Sequence, residues 1–74
     1  MAQKYRADLE PRADADDVKA AVIEAVGAKF AGSVEIEEGE TAILFETDDV
    51  SVAETIGDTM VGVVEVKEAE QTLR

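Results

Sequence analysis

The segment from Asp48 to Leu73, DDVSVAETIGDTMVGVVEVKEAEQTL, carries more apolar side chains than one face of a small domain buries. Read as a single helix from Val50 to Leu73, it places Val52, Ala53, Ile56, Met60, Val63 and Val64 on a broad stripe. Val61 and Val66 widen that stripe, and Ala69 and Leu73 extend it. Asp48 or Asp49 would cap such a helix. Read instead as a helix ending near Met60, the same segment leaves Val61 to Lys67 as a valine-rich final strand. Propensity slightly favours the strand, because Gly57, Gly62 and the valines at 61, 63, 64 and 66 all weaken a helix. A valine and methionine stripe at helical spacing is more often core than interface, so part of this apolar material covers the sheet. The width beyond one stripe points to an interaction surface.

The elements before it are simpler. Lys4 to Leu9 alternates, with Tyr5, Ala7 and Leu9 on one side and Lys4, Arg6 and Asp8 on the other, which is the period of a half-buried strand closed by Pro11. Asp14 stands at an N-cap position, Asp16 and Asp17 complement the helix dipole, and Val18, Ala21, Val22, Ala25 and Val26 recur at helical spacing. A first helix is expected from Ala15 to Lys29, ending near Gly27 or Gly32. Ser33 to Glu37 and Thr41 to Thr47 alternate again around the turn dipeptide Glu38-Gly39, so a hairpin is expected with Ile43 and Phe45 inward. Ala42 and Leu44 then lie on its opposite face, an apolar patch that hints at a dimer or partner contact.

Histidine, cysteine and tryptophan are absent, which removes the usual general base, the thiol nucleophile and the soft-metal ligands. The lysines are too scattered for a serine-lysine pair, and no glycine pattern matches a phosphate loop. Expected, therefore, is a chain without catalysis of its own and without a cofactor. The doublet Asp48-Asp49 and the run Glu35, Glu37, Glu38, Glu40 are the densest carboxylates, but their spacing fits a solvated face and no metal cage. Eighteen acidic residues against seven basic ones give a net charge of −11, dispersed along the chain. Together with scarce lysine and few aromatics, this reads as the surface of a protein from a salt-accumulating cell, where salt relieves the carboxylates' mutual repulsion. It also disfavours direct nucleic-acid binding, which draws on lysine and arginine; only Lys4, Arg6 and Arg12 cluster at all. The start, MAQKYRADLE, alternates charge as no signal peptide does, and no apolar run approaches a membrane span, so a cytoplasmic protein is expected.

With 74 residues and no disulfide or metal to staple it, the chain has room for one domain, residues 1–74, with a thin core that self-association or a larger assembly would support. In TDDVSVAETIGDTMVGVVEVKEAE, the acidic doublet Asp48-Asp49, the pair Asp58-Thr59, the apolar middle Val63-Val64 and the end Val66-Lys67-Glu68 occupy places of a known pattern. Read as strand, helix, hairpin and long helix, the chain resembles the small dimerisation subunit of the KEOPS complex, the Pcc-type polarised-growth and chromatin-associated controller family. It departs from that family where an arginine falls on Glu54 and an asparagine on Asp58. The resemblance favours the long-helix reading. It implies an α+β fold, a β-α-β-β-α two-layer sandwich in which two helices, the C-terminal one long, cover a three-stranded antiparallel sheet.

The resemblance further implies a non-catalytic accessory subunit, archaeal and halophilic, that docks on the catalytic carbamoyltransferase subunit and meets transfer RNA only through the complex, supporting threonylcarbamoyl-adenosine formation. The implied docking face is Val52, Ile56, Met60, Val63 and Val64, with Val22 and Val26 of the first helix as further candidates. The implied homodimer or paralogue heterodimer would use the sheet side around Ala42 and Leu44. The rival reading is a ferredoxin-like ligand-binding or regulatory dimerisation domain, with Val61 to Lys67 as its fourth strand.

Overall fold

A computed structural model describes residues 2–69. The elements run β1 (Gln3–Leu9), α1 (Ala15–Val26), a 3-10 turn (Ala31–Ser33), β2 (Glu35–Ile36), β3 (Ala42–Thr47), α2 (Val50–Thr59) and β4 (Val63–Glu68). All strand pairs are antiparallel, in the order β2-β3-β1-β4. This is the split β-α-β arrangement of a ferredoxin-like domain. Both helices pack on one face of the sheet, around Tyr5, Ala7, Leu9, Val18, Val22, Ile43, Phe45 and Ile56.

Local chemistry explains the first half. Asp14 caps α1 by accepting from the Asp16 and Asp17 amides, and Val18 and Val22, one turn apart, face the sheet. Gly27, at φ 87°, ends the helix earlier than the expected Lys29, because a left-handed residue stops the helical hydrogen-bond ladder. The hairpin forms as its turn dipeptide predicts, with Gly39 and Glu40 at positive φ and the Glu40 amide donating to Glu37. Tyr5 and Phe45, directly opposite on β1 and β3, stack with ring centroids 5.5 Å apart.

β2 is shorter than the alternation suggests. Ser33 belongs to the 3-10 turn, and its hydroxyl donates to the Phe30 carbonyl while accepting from the Glu46 amide of β3. A side chain thus satisfies the strand where β2 does not reach.

The long C-terminal helix is not formed. α2 stops at Thr59, Met60 is extended, and the chain turns at Val61-Gly62 into β4, so the sheet has four strands. Two physical causes act together. The valines at 61, 63, 64 and 66 favour extended backbone. Gly62, at φ 91°, lies so close to α1 that a Cβ there would stand 3.1 Å from Val18 Cγ2 and 3.2 Å from Ala13 Cβ. Leu73, placed on the expected helix, lies outside the described residues. Among those described, no helix is long and apolar enough to cross a membrane.

Candidate interaction surface

The sheet's outer face is built from the alternate residues of its strands. Lys4, Arg6 and Asp8 of β1 stand opposite Glu46, Leu44 and Ala42 of β3, with Glu65 and Lys67 on β4 beyond them. Arg6 donates to Asp8 at 2.9 Å and also pairs with Glu37, next to β2. Since β3 lies between β1 and β2, that second pair passes over β3. The two carboxylates, Glu37 foremost, hold the guanidinium still more firmly protonated. Lys67 stands 3.5 Å from Asp8 and 3.9 Å from Glu65.

The dimer face expected at Ala42 and Leu44 falls on this side of the sheet. Both residues do lie on the outer face, but Ala42 is 0% exposed because Arg6 and Glu37 close over it, and Leu44 is half-buried. The patch is covered by the chain's own ion pairs.

The expected docking face divides in the same way. Ile56 is wholly inside the core, and Val63 is buried on β4 opposite Leu9. Val52 and Met60 are half-buried against the core. Only Val64, 57% exposed, presents a large apolar surface. The five residues form no common face, because two of them belong to a strand and the helical register ends before it. Of the helix-one candidates, Val22 is core and Val26 packs against it.

Among the described residues, the edge of β4 away from β1 has no strand beside it. The strand pairing slips by one residue between Asp8 and Leu9, so Val64 is the extra residue of a β-bulge. The bulge turns Val63 into the core and leaves Val64 outside. Beside the edge runs a cleft of about 440 Å³ between Ala53, Glu54, Gly57 and Asp58 of α2 and Val64, Glu65 and Val66 of β4. Gly57 makes the close approach there: a Cβ on it would already touch Val66 at 3.4 Å. Sequence reading missed Glu65, Val66 and Lys67 as surface determinants. Their signal was the alternation Val64-Glu65-Val66-Lys67, obscured by a helical stripe through the same residues.

The carboxylates are otherwise engaged or dispersed. Asp49 caps α2, accepting from the Ser51 amide at 3.0 Å and hydroxyl at 2.7 Å, and these bonds hold its carboxyl below the usual range. Asp48 stands 3.6 Å from Lys29. Among the described residues, no three acidic side chains gather as a metal site would require. Comparison with protein-family models, with curated proteins and with solved structures finds no match, so the surface itself carries the functional argument.

Proposed function

We propose that this chain works by binding and not by catalysis, as a ferredoxin-like regulatory or association domain of the cytoplasm, with the β4 edge and the adjoining α2 cleft as its contact surface. The observation that carries this reading is the contrast between the edges. β2 spans two residues, whereas β4 spans six, alternates Val64 and Val66 with Glu65 and Lys67, and has an open cleft beside it. An edge strand with unpaired main-chain groups is a template for a further strand, and proteins normally blunt such edges. The missing base, thiol and cofactor loop support the non-catalytic side. The acidity fits a salt-accumulating host.

A photo-crosslinking residue at Val64, compared with one at Glu38 in the opposite hairpin, tests the proposal in native cells. Adducts concentrated at position 64 support it. Equal or absent labelling at both positions rejects the β4 edge as the working surface.

A second reading keeps the accessory role in KEOPS. It is supported by the element order from β1 to α2, which follows the expected strand, helix, hairpin, helix. Without a long helix, docking on the carbamoyltransferase subunit would fall to Val64, Met60 and the exposed side of α2. Co-purification of that subunit with the parent, lost on Val64→Asp in a still-folded protein, supports this role; no recovery of KEOPS components counts against it.

A further inference from the structure

We infer that the β4 edge pairs with the β4 edge of a second copy of this chain, about a two-fold axis through Val66, joining two four-stranded sheets into one. The inference rests on the β4 edge being the contact surface and adds what covers it.

The main chain fixes which residues can pair. The Ala69 amide donates to the Lys4 carbonyl at 2.9 Å, and Lys67 and Glu65 follow at two-residue steps opposite Arg6 and Asp8. These residues therefore turn their main-chain groups toward β1. By alternation, Val66 and Glu68 turn theirs outward, away from the sheet, while Val64 lies at the bulge, where the alternation is interrupted.

An antiparallel two-fold contact brings identical strands together in opposite directions, so its centre decides every pair. Centred on Glu65 it sets two glutamates against each other, on Lys67 two lysines, and on Glu68 two glutamates again; like charges directly opposite destabilise a strand pair. Centred on Val64 it runs into Gly62 and the turn.

The Val66 centre has none of these faults. Val66 meets the partner's Val66 through outward main-chain groups, and Val64 stands opposite the partner's Glu68. Glu65 meets the partner's Lys67, and Lys67 the partner's Glu65, in the closer, non-hydrogen-bonded pairs on the sheet's outer face. Both side chains are exposed in the single chain. Charge complementarity and hydrogen-bond direction select the same register.

On the helix side, Glu54 and Asp58 flank the seam, and each chain carries a net charge of −11. Long-range repulsion therefore opposes association in dilute salt. Screening relieves it over distances beyond about 10 Å at 0.1 M salt while acting less on contacting pairs.

Sedimentation of the full chain in potassium chloride, stepped from about 0.15 M to about 1 M, tests the inference. The parent is expected to dimerise more tightly as salt rises. Glu65→Lys sets lysines against lysines and should weaken dimerisation about tenfold, from the loss of two opposite-charge cross-strand pairs. This variant also lowers the net negative charge, so general repulsion predicts the opposite change. Combining Glu65→Lys with Lys67→Glu restores both complementarity and net charge, and dimerisation should return. Val66→Cys, in a chain with no other cysteine, should oxidise to a disulfide-linked dimer, since paired Cα atoms stand about 5.5 Å apart. A parent that stays monomeric while folded, a Glu65→Lys variant that dimerises as tightly as the parent, or a double variant that does not recover would each overturn the inference. If the chain is monomeric yet position 64 crosslinks to another protein in cells, the edge is still the contact surface and only self-pairing fails.

Discussion

Ala7 and Ala42 are both wholly withdrawn from solvent, but on opposite faces of the sheet and by different means. Ala7 lies among Tyr5, Leu9, Ile43 and Phe45 beneath the helices, whereas Ala42 is closed over by Arg6 and Glu37. The first cover is apolar and packed, and its strength follows area buried. The second is a pair of flexible charged side chains, each about one third exposed, whose net contribution is small and falls with salt. Equal burial therefore does not mean equal resistance to change. A face covered by ions adapts where a packed face cannot.

The largest loss is expected from emptying the packed face. Phe45→Ala should cost about 3–5 kcal/mol in a urea titration, because it removes the Tyr5 stack and leaves a cavity. A loss below about 1 kcal/mol would contradict the packed account of this face. Next, the two alanines are enlarged in parallel. Ala7→Leu should cost about 1–3 kcal/mol by overpacking, and Ala42→Leu less than about 1 kcal/mol because Arg6 can swing into water. Equal losses would erase the distinction.

Arg6→Gln should cost about 0.2–1 kcal/mol in dilute salt and still less in molar potassium chloride, measured by the same titration at both salt levels. The smallest effect is local and lies away from both faces, at the start of α2. Asp49 has a carboxyl pKa lowered from its ordinary 3.8, chiefly by the Ser51 hydroxyl and then by the Ser51 amide. A depressed folded-state pKa means the cap's contribution is complete above 3.8 and is lost as pH falls through the folded value. The Ser51 amide chemical shift should move over that acid range in the parent and stay level in Asp49→Asn, which caps without titrating.

Much of the fold was legible because its local signals agree. Asp14 before an apolar helical repeat located the start of α1, and the alternation of Tyr5, Ala7 and Leu9 identified the buried face of β1. Glu38-Gly39 marked the hairpin turn, although β2 proved shorter than its alternation because Ser33 was taken up by the 3-10 turn. The last third was less legible for a definite reason. Ile56, Met60, Val63 and Val64 satisfy the spacing of a helical stripe and of a helix-turn-strand equally well, and the tight packing of Gly62 against Ala13 and Val18, which adds to the valines' preference for extended backbone, is a tertiary contact. Propensity pointed to the strand, and the resemblance pointed to the helix. The surface suffered most from this ambiguity, because moving Val63 and Val64 from helix to strand sends one into the core and the other to an edge. No sequence pattern reveals that Arg6 and Glu37, far apart in the chain, meet above Ala42.

Ser33 has one further consequence. Its hydroxyl, and no neighbouring strand, receives the Glu46 amide, so that amide is sheltered only while the Phe30–Ser33 turn is seated. In deuterated solvent Glu46 therefore serves as a clock for the lifting of that turn, while its neighbour Phe45, bonded toward β1, keeps the time of the sheet itself.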